Sequence, residues 1–149
     1  MNEGETIELR SGLTKTCVKK GQGETPTDGL TCVLNYHGTL DNGTVFDSTR
    51  GRKPFKFILG MGEVIKGWDI AVATMQIGEK AVVHIPADYG YGGRAIGPIP
   101  ANSELTFEVE LVEAYDHRVK NLKWQLLGLV LVILFCIFIA PKLQEGHYN

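Results

Sequence analysis

Val64-Ile65-Lys66-Gly67-Trp68-Asp69-Ile70-Ala71-Val72-Ala73-Thr74-Met75 is the stretch whose reading decides the fold. Ile65, Trp68, Val72 and Met75 recur at spacings of three and four, the period of one helical face, which predicts a helix over 64–75. No other segment before residue 115 carries that period convincingly. Its neighbours read as short strands. Thr31 to Tyr36 puts Cys32, Leu34 and Tyr36 on one face. Asn42-Gly43 is a strong hairpin signal, read as a type I′ turn into a strand at 44–48. Phe55 to Leu59 and Lys80 to Ile85 are further strands, the second stopped by Pro86. In 104–114, Leu105, Phe107, Val109 and Leu111 alternate with Thr106, Glu108 and Glu110. Thr14 to Lys20 alternates weakly, and residues 1–13 read as a loose arm or edge strand. The sum is an α+β domain: an antiparallel sheet of about five or six strands with a single helix across one face.

The chain has 149 residues, a formal net charge of -2 and 18 glycines, most of them between apolar runs. Charges of both signs are mixed along it, which excludes the basic stripe of a nucleic-acid binder. Cys17, Cys32 and Cys136 have no CxxC spacing and read as free thiols of a reducing compartment. His37, His84, His117 and His147 are dispersed and form no ligand pattern, so neither a metal nor a cofactor is expected. Asn42-Gly43-Thr44 matches a glycosylation sequon, but the N-terminus lacks the basic and apolar regions of a secretory signal, so it reads as a turn.

Between Tyr36 and Tyr91 single aromatic residues are scattered among glycines and one acidic residue. Tyr36, Phe46, Phe55, Trp68 and Tyr91 lie in different segments. They can converge only through the fold, and they would then line a concave apolar pocket. The glycine- and proline-rich loop 87–101 is long enough to be functional.

Tyr36-x-Gly38, Phe46-Asp47-Ser48, Glu63-Val64-Ile65-x-Gly67-Trp68, Tyr89-Gly90-Tyr91-Gly92 and Ile99-Pro100 follow one another at compatible spacing. With these motifs the chain from about Gly12 to Ala114 resembles the FKBP-type peptidyl-prolyl isomerases, the immunophilins. The resemblance implies an FKBP-like fold and rotation about X-Pro bonds, with proline-containing proteins as clients and macrolide immunosuppressants as pocket ligands. It implies a pocket with Trp68 as floor and Tyr36, Phe46, Phe55 and Phe107 as walls. Val64 and Ile65 would give apolar contact, with the Ile65 backbone free to bond a ligand. Ile99 would close the rim, and Tyr91 would offer its hydroxyl. Asp47 would be a buried acid held by Tyr36 and Arg52. Asp47, Tyr91 and Tyr36 would carry the catalysis. The loops at 50–54 and after Tyr91 look shortened against the small members of the family, and Pro98 stands where an apolar side chain often sits. These departures bear on peptide preference and on partner proteins.

Leu126 to Ala140 is an unbroken apolar run, preceded by Trp124 and followed by Pro141-Lys142. A spanning helix needs about 17–25 residues, and Lys123 and Lys142 can extend this one by snorkelling in a thin bilayer. The expected organisation is an arm at 1–13, a domain at 14–115, a juxtamembrane helix start at 116–125 capped by Asp116, a transmembrane helix at 126–140 and a short tail at 141–149. Arg118, Lys120 and Lys123 place the domain on the cytosolic side of a tail-anchored protein, at the endoplasmic reticulum or, second, a mitochondrial membrane. The function expected is a membrane-anchored isomerase with a folding role. Its rivals are a non-catalytic subunit of a membrane protein complex and a soluble isomerase that buries its tail.

Overall fold

The computed structural model describes residues 1–138 and divides into two compact units, Met1–Tyr115 and the segment from Asp116 onward. The first unit is a seven-stranded antiparallel sheet. Its strands are β1 (Thr6–Arg10), β2 (Leu13–Lys19), β3 (Thr31–Leu40), β4 (Val45–Ser48), β5 (Phe55–Ile58), β6 (Lys80–Ile85) and β7 (Leu105–Tyr115). They lie in the order β1-β2-β6-β7-β3-β4, and β5 pairs with β3. The strand beyond the five or six expected is β1, in the arm before residue 14. Only Ile7 and Leu9 alternate there, and both are no more than half-buried, so the strand leaves almost no hydrophobic signature.

The two longest strands, β3 and β7, sit side by side over ten paired positions from Thr31↔Tyr115 to Leu40↔Leu105. Leu105, Phe107, Val109 and Leu111 of β7 all face inward and are buried, as their alternation predicts. Against this face lies α1 (Lys66–Val72), which buries Gly67, Trp68, Ala71 and Val72. A Cβ on Gly67 would lie 2.7 Å from Ile85 Cγ2, so only glycine lets the helix approach β6 this closely. The helix is shorter than the expected 64–75. Ile65 has an extended ψ of 147° and stands before the first turn, while Thr74 and Met75 are carried by single turns onto Ala71 and Val72. Successive turns keep Val64 and Met75 near the helical period without helical geometry.

The Asn42-Gly43 turn also differs from the expected type I′. Gly43 has φ +82°, but Asn42 is not left-handed. The amide of Gly43 bonds the carbonyl of Leu40 at 2.9 Å, and that of Leu40 bonds the carbonyl of Thr44 at 2.9 Å. Leu40 and Thr44 therefore close a three-residue loop whose last member is left-handed, the arrangement next most common after the two-residue turns. Asn42 Oδ1 accepts from the amide of Thr44, which fixes its side chain within the turn.

β2 holds a feature its weak alternation conceals. Lys15 is 1% exposed on the inward face between Leu13 and Cys17. Its Nζ is 2.9 Å from Glu79 Oε1 and donates to the Thr74 carbonyl at 2.9 Å. Cys17 and Cys32 are buried and free.

In the second unit α2 runs over His117–Phe138, and Asp116 Oδ1 accepts from the Arg118 amide at 2.8 Å as its cap. Among the described residues no helix is long and apolar enough to cross a membrane. The end of the expected span at 126–140, the tail 141–149 and His147 lie outside the described residues.

Candidate active site

Trp68 is the third residue of α1, 5% exposed, with its ring turned toward the sheet. Three aromatic rings meet it nearly perpendicularly: Tyr36 at 5.0 Å, Phe107 at 5.1 Å and Phe55 at 5.9 Å between centroids. Phe57 lies beside it at 6.1 Å and Phe46 meets Phe107 edge-on at 5.3 Å. Edge-to-face contacts of this kind contribute about 0.5–1.5 kcal/mol each beyond area burial, so the cluster is stiff. Trp68 Nε1 has no hydrogen-bond partner among the described residues.

Above the indole opens a cavity of about 360 Å3, within the roughly 300–1,000 Å3 of small-ligand sites. Tyr36, Phe46, Asp47, Phe55, Val64, Ile65, Trp68, Tyr91, Ile99 and Phe107 all line it. Ten of the expected site residues therefore converge, from β3, β4, β5, the helix start, the 87–101 loop and β7. Arg52 does not line the cavity; it reaches the site through Asp47. The rim differs from expectation. Ile99 is 6% exposed and forms wall, whereas Ile96, 43% exposed, stands at the mouth. Glu63, Ile96, Gly97 and Pro98 also line the cavity and were missed. A mutual bridge between Ile96 and Ile99, with Gly97 at φ +52°, folds the loop back so that Ile96 and Pro98 face the pocket. Ile96 and Pro98, on either side of Gly97 in the glycine- and proline-rich loop, were the available signal.

Asp47 is the hub of the polar side, and it is not buried: its side chain is 46% exposed. β4 is an edge strand, and Asp47 pairs across it with Gly38 of β3, which has no side chain to cover it. The Tyr36 hydroxyl donates to Oδ2. Arg52 Nη2 donates to Oδ1 at 2.6 Å and the Ser48 amide to Oδ1 at 2.8 Å. Arg52 is itself anchored by Nε to the Ser48 carbonyl at 2.9 Å. Partial desolvation opposes charge on Asp47. The bonds from Tyr36, Arg52 and Ser48 outweigh it and hold the carboxyl below its usual value. Burial first, and then the bond to Asp47, push the Tyr36 phenol up to about 12. At neutral pH the pair is a carboxylate and a neutral phenol, with the proton on tyrosine.

Two donors face the cavity without internal partners. The Tyr91 hydroxyl, half-buried, makes no hydrogen bond among the described residues, and neither does the Ile65 amide. The Ile65 carbonyl is already taken by the Trp68 amide at 3.0 Å, so of its backbone only the N–H remains for a ligand. The arrangement offers an apolar slot with two free donors. Among the described residues no group of three or more histidines, cysteines or carboxylates could hold a metal ion. A larger cavity of about 600 Å3 lies on the outward sheet face, but its cations are spent on carboxylates, Arg50 on Glu108 at 3.1 Å and Lys80 on Glu110 at 3.6 Å.

Residues 22–112 match the family model described as FKBP-type peptidyl-prolyl cis-trans isomerase. The chain is 52% identical over 103 residues to FK506-binding protein 1 of Dictyostelium discoideum, covering 68% of this chain and 96% of that one. It is 49% identical over 105 residues to the peptidyl-prolyl cis-trans isomerase Fkbp12 of Drosophila melanogaster, covering 68% and 97%. A peptidyl-prolyl cis-trans isomerase of Saccharomyces cerevisiae is 53% identical over 92 residues, which make up 62% of this chain and 22% of that one.

Proposed function

Because the chain belongs to the FKBP-type peptidyl-prolyl cis-trans isomerases, we propose that its aromatic cavity takes the proline of X-Pro segments in protein clients and lowers the barrier to rotation in place. The protein is an isomerase. Rotation about X-Pro breaks amide resonance over about 18–20 kcal/mol, and water favours the planar, charge-separated amide. The Trp68 floor and the Tyr36, Phe46, Phe55 and Phe107 walls replace that water with apolar surface. The Tyr91 hydroxyl and the Ile65 amide bond the client carbonyls. The Asp47 carboxylate, kept charged by Arg52 and Tyr36, sits where polarity changes on twisting. A millionfold acceleration needs only about 8 kcal/mol of preference for the twisted state, and no covalent intermediate. The observation that carries the reading is the convergence of ten resemblance-implied residues on one cavity. FK506-like macrolides fit as ligands of the same slot, in keeping with the name of the Dictyostelium relative.

The second part of the reading is attachment to a bilayer, in support of folding of membrane or nascent clients. The α2 side chains Leu126, Leu127, Leu129, Val130, Leu131 and Val132 are all at least 51% exposed. Apolar residues on every face of a helix call for an apolar medium. The run 126–140, with Lys123 and Lys142 at its ends, suits a thin bilayer such as that of the endoplasmic reticulum, with Arg118, Lys120 and Lys123 keeping the isomerase unit cytosolic.

Proline exchange on a model peptide tests the pocket, using the full chain in non-ionic detergent. The parent accelerates exchange, and Trp68→Ala abolishes most of it while the sheet stays folded. Full activity in Trp68→Ala would place the chemistry elsewhere. In cells, the chain stays in the pellet after alkaline extraction and is released when 126–140 is removed. Release of the intact chain would end the membrane reading.

A further inference from the structure

Val64 and Ile65 reach the cavity at the end of a segment that packs little of itself into the core. Leu59, just before it, is fully buried, with its amide on the Leu30 carbonyl and its carbonyl on the Gly29 amide, both at 2.9 Å. Gly60, Met61, Gly62 and Glu63 are then all exposed. Gly60 and Gly62 stand at φ +76° and +69°, a conformation glycine adopts readily but with a larger loss of conformational freedom than any other residue. One side chain gathers this segment. Asp69, half-buried in the first turn of α1, accepts from the Gly60 amide with Oδ1 at 2.9 Å and from the Gly62 amide with Oδ2 at 3.2 Å. Its own amide reaches the Ile65 carbonyl at 3.4 Å, beside that of Trp68 at 3.0 Å. Asp69 therefore grips both the start and the end of 60–65. Glu63 Oε2 adds a bond from the Ile58 amide at 2.9 Å.

We propose that Asp69 is a positioning residue of this isomerase, whose carboxylate holds 60–65 in the shape that presents the Ile65 amide and the Val64 side chain to the client. The inference rests on the prolyl-pocket reading above and adds a residue that does not itself line the cavity. A carboxylate suits two amides because both of its oxygens only accept, and bonds from amides to a charged oxygen are the strong ones. Without it the two left-handed glycines regain their freedom, and the segment populates forms in which the Ile65 amide is out of place. Client affinity then falls in proportion to the fraction of molecules still in the competent form. Saturating client selects that form again, so turnover at saturation is retained. The signature is a raised KM at unchanged kcat, whereas a loss of folded molecules lowers kcat at unchanged KM.

The test uses the full chain in non-ionic detergent and follows proline exchange in a Gly-Leu-Pro-Phe-Gly peptide over a range of peptide concentrations. Asp69→Asn keeps the shape of the side chain but turns an NH2 group toward one of the two amides. It should raise KM about three- to tenfold, the reciprocal of a competent fraction of about a third to a tenth, with kcat within about twofold. Amide hydrogen exchange at Gly60 and Gly62 should quicken, while that of Leu111, bonded to the Glu79 carbonyl in the core, stays as in the parent. Gly62→Ala loosens the same segment without touching Asp69: a Cβ there meets nothing within 4 Å, so the left-handed φ alone penalises it. It should raise KM in the same way, and Gly62→Asn, which tolerates that φ, should restore the parent value. These two variants keep the test decisive if Asp69→Asn fails to fold. Unaltered kinetics, a fall in kcat at unchanged KM, or unchanged exchange at Gly60 and Gly62 overturns the positioning role and leaves the pocket intact. A parent that does not turn over the peptide overturns the pocket reading, and the positioning role with it.

Discussion

Gly38 is where a single methyl group should damage both stability and activity. It pairs with Phe107 on β7 and with Asp47 on β4. A Cβ there would lie 2.6 Å from Phe46 Cζ, 2.8 Å from Phe46 Cε2 and 2.9 Å from Phe107 Cε1. Carbon atoms settle at about 3.5–4.0 Å, so the backbone and the nearer ring must give way by roughly 1 Å in sum. Phe107 cannot: it is 4% exposed and wedged against Trp68 and Tyr36. Phe46 is half-buried and gives way, widening one wall of the cavity. Alanine gains about 0.5–1 kcal/mol over glycine in a strand from backbone entropy. The overlap costs about 1–3 kcal/mol, leaving a net loss for Gly38→Ala of about 1–2 kcal/mol. For a unit of this size that lowers Tm by roughly 4–8 °C. Displacement of a wall lowers kcat/KM by about tenfold or more. Thermal unfolding followed by near-UV circular dichroism, together with the exchange assay, reads both effects. Adding Phe46→Leu removes the two nearer of the three clashing ring atoms and leaves Phe107 Cε1, so the double variant should be more stable than the sum of the single losses by about 1 kcal/mol. Gly38→Ala as stable as the parent, or strict additivity in the double variant, would refute the crowding argument.

The Tyr36–Asp47 pair contributes to both ends of the pH profile of stability. Because the folded Asp47 carboxyl lies below its unfolded value of 3.8, its contribution is present above about pH 4 and lost as pH falls through the folded value. The Tyr36 phenol is raised from 10.0 to about 12, so its contribution is present below pH 10 and lost as pH rises toward 12. Urea titrations across pH should show Asp47→Asn flattening the acid limb and Tyr36→Phe the alkaline limb; unchanged limbs would mean the pair is not formed in solution. Lys15→Met should cost about 3–5 kcal/mol by leaving Glu79 charged and buried. Adding Glu79→Gln, which keeps the acceptor for the Gln76 amide, should recover most of it. A Lys15→Met loss below about 1 kcal/mol would show that water reaches Glu79.

How well each element could be read followed from how much of its chemistry is local. β6 coincides with the expected segment and β7 is offset from it by one residue, because β6 and the first seven residues of β7 alternate without a break and both are central strands with a buried face. β2 read weakly for one reason, a lysine at an inward position, and its partner Glu79 lies 64 residues away. α1 was read too long because a three- and four-residue spacing is shared by a helix and by consecutive turns. The period cannot report that Ile65 has an extended ψ.

The pocket divides in the same way. That the chain carries a floor tryptophan, aromatic walls and an acid next to Phe46 is a property of residue order, and the family resemblance names ten of the lining residues, eight of them inside its motifs. How far those residues are exposed was beyond them. Asp47 is half-open because β4 is an edge strand, and Ile99 is wall rather than rim because Gly97 turns the loop back on itself. Which charges are spent and which are free also required distances across strands: Glu63 on the Ile58 amide, Arg52 on Asp47, Arg50 on Glu108. Periodicity and composition are written along the backbone, whereas burial and pairing are sums over neighbours that only the closed sheet assembles.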